Sequence, residues 1–225
     1  MRLPSLFILT TAHAFVFSSA RADYVADFTL PPKVEERSII GTDGWDYRLP
    51  TQKGDPDTAR VVSVRWNGYK PALMLKGANL KCAVPPTTGS KVIITFDLAV
   101  TIRDSGNGRP FRIGFGGAPC GELFIDMTAD GGLGCQADGS GRGGEIVLKR
   151  SEVKNNSFYH CSVTIDYAKQ AYAISITGRR KDDSAFQFTT DARPFESKSK
   201  AVSTIYIISA NSMTAYLDSV AIKSE

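Results

Sequence analysis

The chain is poor in the residues that carry most metal and acid–base chemistry. Of its 225 residues only His13 and His160 are histidine, and the four cysteines, Cys82, Cys120, Cys135 and Cys161, form no C-x-x-C pair. A zinc knot of the usual ligand spacing is thereby excluded. Apolar runs are short as well: beyond residue 22, Asp, Lys, Arg or Gly interrupts each one before the roughly 18 residues that a spanning helix needs, so no membrane span is expected. No window repeats apolar residues at the helical period. Charge of one sign is also missing, with 27 basic against 23 acidic side chains, and the basic run Arg179-Arg180-Lys181 leads straight into Asp182-Asp183. Tracking a phosphate backbone requires an uncompensated basic stripe, so nucleic acid is not an expected partner.

What is present begins with a leader. Arg2, the apolar stretch from Leu6 to Phe17, and Ala20-Arg21-Ala22 read as a signal peptide over residues 1–22, cut before Asp23. The expected destination is secreted, periplasmic or the cell envelope. Arg2 and Arg21 leave with the leader, which brings the net charge near +2. Residues 23–225 suffice for one domain with a core that needs no staple. Four cysteines in an oxidising compartment permit disulfides, and three pairings are open.

Strand signals dominate the rest. Lys91 to Thr101, Pro110 to Gly116, Glu122 to Met127, Phe158 to Tyr167, Tyr172 to Thr177 and Ala215 to Lys223 are rich in β-branched and aromatic residues and bounded by turn formers. The fold class is all-β, an antiparallel two-sheet sandwich. Alternation assigns faces: Tyr159, Cys161, Val163, Ile165 and Tyr167 form a core row, continued on the returning strand by Tyr172, Ile174 and Ile176. Between Phe111 and Asp138 the apolar residues again share odd numbers. A turn centred on Pro119 would set Gly114 opposite Phe124 and Arg112 opposite Asp126; a second, through Ala129-Asp130-Gly131, would set Phe124 opposite Gln136 and Glu122 opposite Asp138.

Three segments carry a resemblance: Asp27-Phe28-Thr29-Leu30 with Gly41-Thr42-Asp43-Gly44-Trp45, the hairpin from Val163 to Tyr172, and the closing Ala215-Tyr216-Leu217-Asp218-Ser219-Val220-Ala221-Ile222. Together they resemble the concanavalin A-like, laminin-G-like jelly rolls of secreted bacterial proteins. The resemblance implies two packed sheets, one concave, with first and last strands side by side, and glycan binding on the concave face or its rim loops.

Catalytic signatures of that superfamily are not found. No glutamate has an aspartate two residues on, so the E-x-D-x-x-E triad of family-16 glycanases is missing, and no Q-[IV]-H element of alginate lyases occurs. Glu122 and Asp126 lie about 13 Å apart along a strand, beyond the roughly 5–9.5 Å of glycosidase pairs. Glu122 and Asp138 are the outside catalytic candidates, because the expected register brings them within about 5 Å. That closeness demands a proton or a cation, and calcium at Glu122, Asp138 and Asp130 is one answer. Two solvated acids diverging at a loop mouth are another. Gly139-Ser140-Gly141-Arg142-Gly143-Gly144 matches a dinucleotide loop only formally, since a strand follows it.

Binding needs less. Phe124 offers a flat platform flanked by Glu122 and Asp126 and faced by Arg112 and Gln136, the mixture on which sugars stack and hydrogen-bond; the same groups also suit plain sheet stabilisation. Arg65, Asn67 and Tyr69 form a second set of ligand contacts, around a Trp66 assigned to the core by its parity with Val62 and Val64. Trp45 reads as a buried plug. The sequence therefore favours a secreted, noncatalytic, polysaccharide-binding jelly roll, with a divergent glycanase or lyase and a structural or adhesive envelope component as alternatives.

Overall fold

A computed structural model describes residues 23–26, 28–30, 36–42, 44–48, 58–68, 70–102, 108, 110–116, 122–128, 130–136, 144–195 and 201–225. The leader, Tyr69, Cys120 and Asp138 lie outside the described residues. Strands in chain order are β1 (Tyr24–Ala26), β2 (Glu36–Ser38), β3 (Trp45–Tyr47), β4 (Ala59–Val64), β5 (Lys70–Leu75), β6 (Asn79–Ala83), β7 (Lys91–Ile102), β8 (Phe111–Phe115), β9 (Leu123–Asp126), β10 (Gly132–Cys135), β11 (Glu145–Lys149), β12 (Tyr159–Asp166), β13 (Ala171–Arg179), β14 (Ala185–Thr189), β15 (Arg193–Pro194), β16 (Thr204–Ser209) and β17 (Met213–Ser224).

These strands build two antiparallel sheets. The larger runs β14-β13-β12-β7-β17-β5-β4-β2, with β1 added against β17 and β15 against β13; the smaller, seven-stranded one runs β11-β10-β9-β8-β16-β6-β3. First and last described strands are neighbours, with Tyr24 opposite Ile222. Among the described residues no helix is long and apolar enough to cross a membrane.

Alternation explains the sandwich. Along β12, Tyr159, Cys161, Val163 and Ile165 are buried between the sheets while His160, Ser162, Thr164 and Asp166 face outward; on β13, Tyr172, Ile174 and Ile176 complete the expected core row. From β7 come Val92, Ile94, Phe96 and Leu98, and from the smaller sheet Phe111, Ile113, Phe115, Leu123, Ile125, Ile205 and Ile207. Each such side chain, fully buried, contributes about 1.5–3 kcal/mol. β17 changes parity partway, from Ala215 and Leu217 to Val220 and Ile222. A bulge between Asp218 and Ala221, with Ser219 at φ 54°, supplies the extra residue that makes this possible.

Trp45 is the expected plug, 1 % exposed, with its ring centroid 6.3 Å from that of Phe28. Cys82, Cys135 and Cys161 are buried and unbridged. Burial, with help from Glu145, pushes the Cys135 thiol up to about 12; burial, with help from Asp97, raises that of Cys161.

Candidate functional site

The outer face of the smaller sheet carries most of the residues singled out in the sequence, in a register one rung away from the expected one. Arg112 lies opposite Phe124, and Phe124 opposite Gly134, whereas Asp126 and Gln136 were expected. The cause of the second slip is local. Asp126 Oδ1 accepts hydrogen bonds from Thr128 N (2.9 Å) and Thr128 Oγ1 (2.7 Å), and Gly131 N donates to Thr128 O (3.0 Å). The turn is thereby set at Thr128–Gly131, one residue earlier than a turn centred on Asp130. Glu122 O consequently accepts from Gln136 N at 2.9 Å, so Gln136 takes the place expected for Asp138.

Phe124 corrects the platform expectation outright. Its parity is right, facing away from the core, yet it is 0 % exposed. A Cβ on Gly134 would fall 2.3 Å from the Phe124 ring and one on Gly144 2.5 Å, so the ring lies in a notch that only glycine leaves open. Gln136 is buried with it, and its Nε2 finds no acceptor among the described residues.

Glu122 and Arg112 do come together, at 3.9 Å, with side chains 12 % and 39 % exposed. Sequence reasoning missed the residue that organises them. Tyr206 on β16 lies across Gly114, where a Cβ would meet its ring at 2.2 Å, and its hydroxyl donates to Glu122 Oε2 at 2.9 Å. The Arg48 guanidinium stands 5.5 Å over the ring. Tyr206 is partly exposed. Lys81, opposite both Tyr206 and Asp46, extends the polar row.

Of the calcium ligands expected at Glu122, Asp138 and Asp130, Asp138 lies outside the described residues. Asp130 follows the far end of β9 from Glu122 and lies in a hollow with Lys149, Arg150 and Lys181. Among the described residues no group of three His, Cys, Asp or Glu is placed to hold an ion.

The outer face of the larger sheet holds the second set. β4 ends at Val64, and the chain enters a single 3-10 turn, Arg65–Asn67, closed by Gly68 at φ 64°. The two-residue period stops there, so parity no longer assigns Trp66 a side. Trp66 is partly exposed and stands outside the core rather than in it. Its ring lies 5.3 Å from Phe158 and 5.4 Å, edge-on, from Tyr216. Tyr216 pairs with Ala99 on β7, and Tyr159, which follows Phe158, pairs with Leu98. Ala99, the partner of Tyr216, is fully buried. Arg65 is exposed and Asn67 partly so.

Beside this aromatic row runs an ionisable one. Asp97 lies opposite His160 on one side and Asp218 on the other. His160 Nδ1 and Asp97 Oδ1 are 2.8 Å apart. Burial raises the Asp218 carboxyl above the ordinary aspartate range, and the Asp97 charge adds to the effect, while a 2.7 Å bond from Ser219 N and the charge of Lys70 oppose it. None of the three residues Asp97, His160 and Asp218 is among the site candidates that the sequence singled out.

No family model matches the sequence, and no curated protein matches it. Solved structures do. A GH131 β-glucanase catalytic domain from Podospora anserina is 12 % identical, with a TM-score of 0.52, over 81 % of this chain and 85 % of that one. The catalytic domain of the glycoside hydrolase family 131 protein from Coprinopsis cinerea is 11 % identical, with a TM-score of 0.50, over 80 % and 83 %. The metal-free lectin I-B4 from Griffonia simplicifolia is 9 % identical, with a TM-score of 0.48, over 81 % and 94 %. The fold is the concanavalin A-like jelly roll. At these identities the likeness concerns architecture alone, and function has to be argued from the surfaces.

Proposed function

We propose that this chain is a secreted, noncatalytic carbohydrate-binding jelly roll that holds a polysaccharide on the outer face of its larger sheet. One observation carries the proposal: Phe158, Trp66 and Tyr216 form a partly exposed aromatic row, with Arg65, Asn67, Lys70 and Asp218 around it. Sugar C–H faces stack on such rings while amide, guanidinium and carboxylate groups take the hydroxyls. The fold supports the reading by analogy only, since lectins and glycoside hydrolases both adopt it. Export by the 1–22 leader would deliver the protein to extracellular or envelope polysaccharide.

The test is retention in affinity gels and on a glycan array. Trp66→Ala and the surface pair Arg65→Ala/Asn67→Ala should each weaken retention roughly tenfold, about 1.4 kcal/mol, with melting followed in parallel. Unchanged retention in the Arg65/Asn67 variant, which removes no core group, would sink the assignment of this face.

A glycanase reading of the same face is favoured by one feature. Asp97 and Asp218 are direct cross-strand partners, which puts their Cβ atoms about 4.5–5.5 Å apart, within reach of a retaining carboxyl pair. Their environments differ, Asp97 hydrogen-bonded to His160 and Asp218 pushed toward the protonated form, as acid and nucleophile roles require. New reducing ends from a polysaccharide panel, abolished by Asp97→Asn, would establish it; an inert panel leaves binding alone.

A further inference from the structure

At one end of the sandwich, the β9–β10 turn, the segment after β11 and the β13–β14 turn enclose a hollow of about 490 Å³ lined by Asp130, Gly131, Lys149, Arg150, Ser151 and Lys181. A second hollow of about 320 Å³ shares the Arg150 and Lys181 walls and adds Lys154 and Asn155. Both volumes fall in the range of small-ligand sites.

Among the described residues that line them, four cations, Lys149, Arg150, Lys154 and Lys181, face one acid, Asp130. Nearby acids are already engaged elsewhere: Glu152 with Arg180 and with the backbone N of Lys149, Asp183 with Lys154, and Asp182 with both donors of Ser184. Lys154 is thereby neutralised. Lys149 and Lys181 are exposed and ion-paired with no described residue. Arg150 is held in place, its backbone N donating to Gly131 O at 2.7 Å and its Nη1 to Met127 O at 2.9 Å. The basic run Arg179-Arg180-Lys181 is compensated only in part, because Asp182 and Asp183 turn to Ser184 and Lys154 and leave Lys181 over the hollow.

Two free ammonium groups beside the Ser151 hydroxyl, in a hollow that the Arg150 side chain also lines, suit a carboxylate or a sulfate ester. We infer that this hollow binds the anionic substituents of an acidic polysaccharide. The choice of a polysaccharide rests on the carbohydrate reading above; the preference for negative charge does not.

The experiment uses the full chain in native gels cast with polygalacturonate, dextran sulfate, or uncharged dextran. Retardation is expected from an acidic polymer and not from dextran, the polygalacturonate and sulfate gels distinguishing carboxylate from sulfate ester. Lys149→Ala/Lys181→Ala should weaken it tenfold or more without lowering the melting temperature, while the charge-matched Lys76→Ala/Lys169→Ala should retain it. Equal retardation of both double variants would overturn the site, as would absence of retardation by either acidic polymer, or equal lysine-dependent binding of single-stranded DNA. If Trp66→Ala abolishes glycan retention and the Lys149/Lys181 variant does not, this inference fails while the aromatic row stands. The reverse pattern supports the basic hollow and removes the aromatic row.

Discussion

Replacing Phe124 by Ala tests whether this ring is structural or available to ligand. The side chain is 0 % exposed and rests in the notch left by Gly134 and Gly144, so truncation removes a fully buried aromatic and opens a cavity, a loss of about 3–5 kcal/mol. For a chain of this size that is a fall in melting temperature of roughly 6–20 °C, measurable by circular dichroism and by urea titration. A glycine substitution supplies the converse strain. A Cβ on Gly134 would fall 2.3 Å from the Phe124 ring and 2.8 Å from Glu145 O, so Gly134→Ala should cost about 1–3 kcal/mol by overpacking. The two changes should be non-additive, because the alanine methyl partly fills the space that Phe124→Ala vacates. A loss under about 1 kcal/mol for Phe124→Ala, together with reduced glycan retention, would mean that the ring is exposed in solution and that the burial argument is wrong.

Asp218→Asn keeps the acceptor for Ser219 N and removes a charge that burial disfavours. Because the folded carboxyl titrates above its unfolded counterpart, the native state binds more protons in that window and loses stability as pH rises through it. The variant should therefore melt higher than wild type at pH 7 and lose that advantage as the pH falls below the ordinary aspartate value; a pH-independent difference would contradict it. Cys135 and Cys161, buried and with raised thiol pKa values, should resist an aromatic disulfide reagent at pH 8 until the protein unfolds. Modification of either in the native protein, read by mass spectrometry, would refute that placement.

Parity made much of this molecule legible in the sequence. The core rows of β12 and β13 and the outward set of Arg112, Glu122 and Phe124 follow from a period of two, which a strand keeps wherever no bulge interrupts it, whatever it pairs with. Register was less secure, since it depends on where a turn begins, and the Asp126–Thr128 contacts moved one turn by a residue. Outward-facing was also mistaken for exposed. Phe124 points away from the core yet is covered, because glycines distant in sequence leave room for its ring.

The sequence by itself determined the all-β architecture, the facing of its strands and the burial of Trp45, since alternation and turn chemistry are local properties. Only the tertiary structure decided which side chains meet. Tyr206 reaches Glu122 across 84 residues, and Trp66 joins Phe158 and Tyr216 from three separate segments. Lys181 stands beside Arg150 because two turns close on each other. These neighbours are set by strand order and sheet packing, which no short window of sequence contains.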